Sequence, residues 1–212
     1  MGLPREDIPQ PVTESREAER QPRPRGRPRR ASAGQAILDA TLALLAERGF
    51  QATTIEAIAD RAGVGRNTIY RRWSSKEELI ADALHELTSD LDVDDAGDLY
   101  SRLLERIRDL VRLFSDPLFG RILPGVLGEL QRNPIFARVY AERVVQPRRR
   151  ALVDLLKEAR ERGELRADAD VEHVADLVGG PPFLRLLPLG LPPVGDRYAE
   201  ELLDTIWRGI AP

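Results

Sequence analysis

The sequence predicts an all-α fold, with a small N-terminal three-helix domain followed by a larger helical domain. Three observations carry this. Apolar residues recur at helical spacing in segment after segment, as at Ile37, Thr41, Leu44 and Leu45. Ser/Thr-x-x-Glu/Gln signatures, which open helices by reciprocal capping, precede three of the apolar stripes. No stretch sustains the period-two alternation with β-branched residues that a strand needs.

The elements follow in order. Residues 1–31 are rich in Pro, Arg and Glu and poor in large apolar side chains, so they read as a disordered arm that cannot bury enough surface to offset ordering entropy. Ser32-Ala33-Gly34-Gln35 is expected to cap the first helix, and Gly49 to end it in a left-handed conformation. Thr53-Thr54-Ile55-Glu56 opens a short second helix, which Ala62-Gly63-Val64 breaks. Another short helix runs from about Gly65 to Trp73, and Ser75-Lys76-Glu77-Glu78 starts a longer one carrying Leu79, Ile80, Ala83, Leu84 and Leu87. Asp92 to Asp98 reads as a connector. Beyond it come Leu99 to Phe114, Leu118 to Gln131, Pro134 to Arg162 with a kink expected at Pro147, Val171 to Leu187 and Tyr198 to Ile210. Gly179-Gly180-Pro181-Pro182 is expected to distort the segment it interrupts.

Composition narrows the function. The chain has no cysteine, so neither a disulfide framework nor a thiol site is available. His85 and His173 are its only histidines and lie far apart, so no metal is expected. An enzyme needs a nucleophile with a base, paired acids or metal ligands, and the sequence offers no such constellation or phosphate-cradling glycine loop; no cofactor is expected. No apolar run could span a bilayer and the N-terminus lacks a signal core, so the expected location is the cytoplasm, with no membrane partner.

Charge is unevenly placed. The chain is acidic overall at −3, yet residues 1–31 hold eight arginines against five carboxylates. Arg61 to Lys76 contains five cations and no carboxylate. A helix-turn-helix needs a tight turn with one residue in a conformation that a Cβ disfavours, and Gly63 supplies it. At about 100° per residue, Ile69 and Trp73 fall on one side of the second helix and Asn67, Thr68 and Arg71 on the other, with Arg66 and Tyr70 on a flank. The free side is therefore all hydrogen-bonding. Arg can fork onto guanine and Asn onto adenine, while Thr and Tyr hydroxyls suit phosphate oxygens.

Thr53-Thr54-Ile55-x-x-Ile58-Ala59-x-x-Ala62-Gly63-Val64-Gly65-Arg66-Asn67-Thr68-Ile69-Tyr70-Arg71-Arg72-Trp73-x-Ser75-Lys76-Glu77-Glu78-Leu79 resembles the DNA-binding head of the TetR-type transcriptional regulators. The resemblance implies a head over residues 32–88, its helix-turn-helix motif at about 55–74, and an effector-binding and dimerisation domain over 89–212. It implies that Thr54 touches phosphate, that Arg66, Asn67 and Thr68 face the major groove of a double-stranded operator, that Tyr70 and Arg71 hold the backbone nearby, and that Lys76 meets a phosphate at the next helix start. Many members carry Ser or Thr where this chain has Gly65, so a cap bond is lost here.

Pro24-Arg25-Gly26-Arg27-Pro28 is similar to the core of an AT-hook, an extended element whose arginines (here Arg25 and Arg27) enter a narrow A·T-rich minor groove. A solubilising tail would have the same composition. Leu99 to Pro212 resembles the TetR-type C-terminal domain, through Arg143-Val144-Val145-Gln146-Pro147-Arg148-Arg149, Glu161-Arg162-Gly163-Glu164-Leu165-Arg166 and Gly180-Pro181-Pro182-Phe183-Leu184-Arg185-Leu186-Leu187. That resemblance implies a homodimer formed by the last two helices, through Leu177, Phe183, Leu184, Leu187, Leu203, Ile206 and Trp207, residues that could equally complete the monomer core. It also implies a pocket for an unknown small-molecule effector, for which Phe114, Phe119, Leu123, Leu127, Phe136 and Tyr140 are candidate lining or plain core. The function so read is a repressor released from a palindromic operator by an effector. The alternative is an activator, or a regulator working through protein contacts without an effector.

Overall fold

A computed structural model describes residues 28–88, 97–186 and 196–212. Among these residues the chain forms helices and no strand. The head comprises α1 (Pro28–Ala52), α2 (Ile55–Ala62), α3 (Arg66–Tyr70) and α4 (Lys76–Leu87). The body comprises α5 (Leu99–Ser115), α6 (Pro117–Arg132), α7 (Pro134–Tyr140), a π turn (Ala141–Val145), α8 (Gln146–Glu161), α9 (Val171–Leu186) and α10 (Asp196–Ile210). Arg25, Arg27, Leu187 and most of the acidic connector lie outside the described residues.

Helix ends follow local chemistry, with several corrections to the expected caps. The first helix already includes Pro28, a turn before the Ser32-Gln35 signature, so Ser32 does not open it. Gly34 is consequently a mid-helix residue against which the Arg72 guanidinium packs, so closely that a Cβ there would collide with it. Gly49 breaks α1 at φ 73°, as expected. The cap of α2 is Thr54, whose hydroxyl oxygen accepts from the Ala57 amide at 3.2 Å; Thr53 is instead buried, its hydroxyl donating to the Gly49 carbonyl at 2.8 Å. Ser75 caps α4 through the Glu78 amide, but Glu78 reaches back to Ser74 rather than to the Ser75 amide.

The prolines have different consequences. Before Pro147 the chain widens into the π turn, which relieves the clash between the proline ring and the preceding carbonyls. Pro181 and Pro182, expected to distort the helix, lie within a continuous α9. They leave the Leu177 and Val178 carbonyls without their helical donors. The burial of Val171, Val174, Ala175 and Val178 holds the helix against that loss.

Among the described residues, three apolar cores result. The head core joins Ile37, Ala40 and Leu44 of α1 to Ile58, Ile69, Trp73 and Leu79. The body core joins α5, α8, α9 and α10 around Leu103, Ile107, Leu156, Val178 and Leu203. Between them a third core is built from both parts: Leu42, Leu45 and Phe50, Ile80 and Leu84 of α4, Ile122 and Val126 of α6, and Phe136, Val139 and Val144. Head and body therefore share an interior, with Phe50 and Phe136 ring centroids 4.6 Å apart.

Candidate nucleic-acid interface

The turn between α2 and α3 is set by Gly63, at φ 65° and ψ 33°. Its amide donates to the Asp60 carbonyl and the Val64 amide to the Ala59 carbonyl, at 3.3 and 3.0 Å, a pairing that closes the end of α2. Gly65 precedes α3 without a side-chain cap, as its missing hydroxyl dictates. Ile69 is fully buried and Trp73 nearly so, both against α1, α2 and α4. On the other side Arg66, Asn67, Tyr70 and Arg71 are exposed, Tyr70 by 53%, and Thr68 is half-buried. A five-residue helix is too short to be stable alone, so this inward anchor is what fixes the outward face.

Neighbouring groups tune that face. Arg66 Nη1 pairs with Glu56 Oε1 of α2 at 3.1 Å. Backbone N–H donation at the α2 start, and then Arg66, hold the Glu56 carboxyl below its ordinary range. Thr54 is exposed; its oxygen accepts the Ala57 amide in the cap, and its hydroxyl also bonds the Glu56 carboxylate. Lys76 is less free than its position implies: its ammonium donates to the Phe50 carbonyl at 3.1 Å and stands 4.5 Å from that ring's centre. Arg61, beside the motif, is drawn to α1 by two hydrogen bonds that its guanidinium donates to Glu47, at 2.6 Å each.

Comparison with known proteins decides the family. Residues 37–83 match the bacterial regulatory proteins of the tetR family, and residues 93–206 match the tetracyclin repressor-like C-terminal domain. The chain belongs to the TetR family of transcriptional regulators.

It is 37% identical over 187 residues to the uncharacterized HTH-type transcriptional regulator YdeS of Bacillus subtilis, covering 88% of this chain and 93% of that one. The HTH-type transcriptional repressor KstR2 of Mycobacterium tuberculosis is 29% identical, over 81% of this chain and 92% of its own length. Among solved structures, the TetR family regulator SCO0332 superposes with TM-score 0.70 at 30% identity, covering 85% of this chain and all of that one. The flavonoid-responsive regulator FrrA superposes with TM-score 0.65 at 25% identity, over 86% of this chain and 98% of that one. These matches are to DNA-binding regulators and not to enzymes.

In this TetR-family chain the expected body residues separate. Phe136 is fully buried in the core shared with the head and also packs on Tyr140, at 5.8 Å. Burial raises the Tyr140 hydroxyl above its ordinary range. Phe114 instead stacks on Phe119 at 5.8 Å and meets Phe183 of α9 edge-on at 6.3 Å. Leu123 is buried and Leu127 half-buried. The four aromatic residues among the six thus fall into two groups, Phe136 with Tyr140 at the core shared with the head and Phe114 with Phe119 where α5 meets α6.

The expected dimer surface needs correction. Leu203 is fully buried and Ile206 nearly so within one chain's own core, and Trp207 is half-buried edge-on against Tyr100, at 5.3 Å. These α10 residues face α5, leaving outward Glu201, Asp204 and Arg208. Leu177, Phe183 and Leu184 of α9 do stay exposed, by 50%, 38% and 50%. Sequence reasoning overlooked the polar contacts that tie body to head. The buried Glu129 accepts from Gln51 at 2.8 Å, and Arg143 reaches two carboxylates of α4.

Proposed function

We propose that this protein is a transcriptional repressor that binds a palindromic operator as a homodimer and leaves it when a small molecule binds the body. The observation that carries the reading is α3, which buries Ile69 and Trp73 while exposing Arg66, Asn67, Tyr70 and Arg71 in a segment free of carboxylates. Arg66, Asn67 and Thr68 lie at its N-terminal end, where a recognition helix reads base edges. Thr54, Tyr70, Arg71 and Lys76 serve the phosphates, and Arg25 and Arg27 of the arm the adjoining minor groove. Repression is supported by the name of the KstR2 relative, and response to a small molecule by that of FrrA.

Dimerisation is assigned to α9. Leu177, Gly180 and Leu184 recur at i, i+3 and i+7, with Phe183 alongside and open space above Gly180. A two-fold dimer that reads two half-sites needs its copies of α3 about 34–36 Å apart, one turn of DNA. The effector is assigned to the aromatic group around Phe114, Phe119 and Leu123, with Phe183 linking it to the dimer face. An effector that binds better when the heads are splayed lowers DNA affinity by shifting populations. The operator lies in the cytoplasm, where the protein acts.

The test is fluorescence anisotropy of the full chain with palindromes from around its own coding region, followed by a small-molecule screen for release. Specific binding that Arg66→Ala and Arg71→Ala each weaken supports the reading. Undiminished binding by both variants refutes it. Removal of residues 1–27 is expected to flatten the salt dependence, by about one unit of slope per lost phosphate contact.

A further inference from the structure

The segment leaving the recognition helix is fastened by two carboxylates of α4. The Trp73 indole N–H donates to Asp82 Oδ2 at 2.8 Å. The Ser74 amide and hydroxyl donate to Glu78 Oε2 at 2.8 and 2.7 Å. Glu78 and Asp82 are four residues apart and share one face of α4. Each carboxylate presents its other oxygen to the same cation: Arg143 Nη1 donates to Asp82 Oδ1 at 2.8 Å and Nη2 to Glu78 Oε1 at 2.9 Å. Arg143 belongs to the body, in the π turn that precedes Pro147.

These five residues form a relay from the body to the end of α3. The side chains of Glu78, Asp82 and Arg143 are 25%, 35% and 38% exposed, so water screens them less than an open surface pair. A planar guanidinium places two N–H groups on two acceptors at once, which an ammonium does not reproduce. Without Arg143, two carboxylates one helical turn apart repel one another and keep only the neutral donors of Trp73 and Ser74. A shift of the π turn relative to α4 has the same effect, because it pulls the fork from both acceptors.

We propose that Arg143 is a positioning residue for operator binding, the body side chain that sets the angle at which α3 is presented. The proposal rests on the reading of α3 as the recognition helix. It gives the body a direct hold on the head: the arrangement that keeps the fork engaged binds DNA, and one that withdraws the π turn frees the segment at Trp73 and Ser74.

The experiment compares wild type, Arg143→Ala, Arg143→Lys and the Glu78→Gln/Asp82→Asn pair as full-length proteins in operator anisotropy. Dimer mass and melting are recorded for each. Arg143→Ala is expected to weaken operator binding at least about fivefold, the lower end of coupling between linked sites, with the salt slope unchanged because no phosphate contact is lost. Arg143→Lys restores only part of the loss. Arg143→Ala adds little in the Glu78→Gln/Asp82→Asn background, since the acceptors are already gone. The Trp73 indole proton, assigned by Trp207→Phe, exchanges faster in Arg143→Ala. Arg143→Gln, which keeps most of the stem, gives the same comparison should the alanine variant lose its fold.

Wild-type affinity in Arg143→Ala overturns the proposal while leaving the operator reading intact. A salt slope lowered by about one unit overturns it too, because Arg143 would then touch phosphate itself. Failure of the wild type to bind any duplex removes the operator reading and the proposal together.

Discussion

Arg66 Nη1 stands 3.1 Å from Glu56 Oε1, so the first cation of the recognition helix is held by a carboxylate of the helix before it. Both side chains are more than half exposed, at 62% and 58%, and such a pair contributes little to stability. Its effect is on the charge that the face offers to a duplex. Glu56 neutralises Arg66 in the free protein and would oppose any phosphate brought near it.

Glu56→Gln is therefore expected to strengthen binding to a duplex of unrelated sequence and to narrow the margin between operator and random DNA. The melting temperature should barely move. Paired anisotropy titrations check this, and weaker binding to both duplexes would mean that Glu56 instead holds Arg66 ready for its base.

Arg66 and Lys76 should fail in different ways. Arg66→Ala is expected to relax preference at one base pair, by about 1–3 kcal/mol, with little change elsewhere. Lys76→Ala should weaken binding to every sequence alike and lower the salt slope by about one unit. It should also destabilise the head, since its ammonium bonds the Phe50 carbonyl. Competition against point-substituted operators, with melting curves alongside, separates the two behaviours.

Two head substitutions test the scaffold rather than the contacts. Ile69 is fully buried, and Ile69→Ala is expected to cost about 2–5 kcal/mol through lost burial and the cavity left behind. Gly63 sits at φ 65°, where a Cβ costs about 1–2 kcal/mol, so Gly63→Ala should be destabilising although the space above it is open. Urea unfolding measures both losses, and a neutral Gly63→Ala would contradict the turn geometry.

Leu184 and Leu203 should respond oppositely to a charge. Leu184 is half exposed on α9, so Leu184→Glu is expected to yield a folded monomer if that face pairs two copies. Leu203 is fully buried in the body core, so Leu203→Glu should unfold the protein rather than divide it. Sedimentation velocity with circular dichroism distinguishes dissociation from unfolding.

The Glu78 carboxyl is held below its ordinary value of 4.5, first by the Ser74 hydroxyl and amide and then by Arg143. A depressed acid pKa contributes stability that is fully present above the unfolded value and lost as pH falls through the folded one. The segment at Ser74 should thus remain fastened at pH 5 and loosen only below 4.5. A carbon-13 titration of Glu78 with a midpoint above 4.5 would refute this.

The reading of the head from sequence succeeded where the signal was local. Gly63, Ser75 and the Ile69–Trp73 spacing act within a few residues, through backbone sterics and the helical repeat, and each appears in the structure in its expected role. The Ser32-Gln35 signature failed, since the helix already runs through it from Pro28. On α10 the apolar stripe of Leu203 and Ile206 was legible, but periodicity identifies an apolar face without naming what covers it. The cover proved to be α5 of the same chain.

What the amino-acid sequence determined alone is the helical class, the order of the elements and which side of α3 is offered to a partner. These follow from spacing, capping and glycine conformation, all short-range. Only the tertiary structure decided that Phe50 meets Phe136 across head and body, that Glu129 receives Gln51, and that Arg143 bridges Glu78 and Asp82. Those contacts join residues 61 to 86 positions apart, as for Arg143 with Asp82 at 61 and Phe50 with Phe136 at 86. Their partners are chosen by the packing of whole helices, which no local pattern encodes.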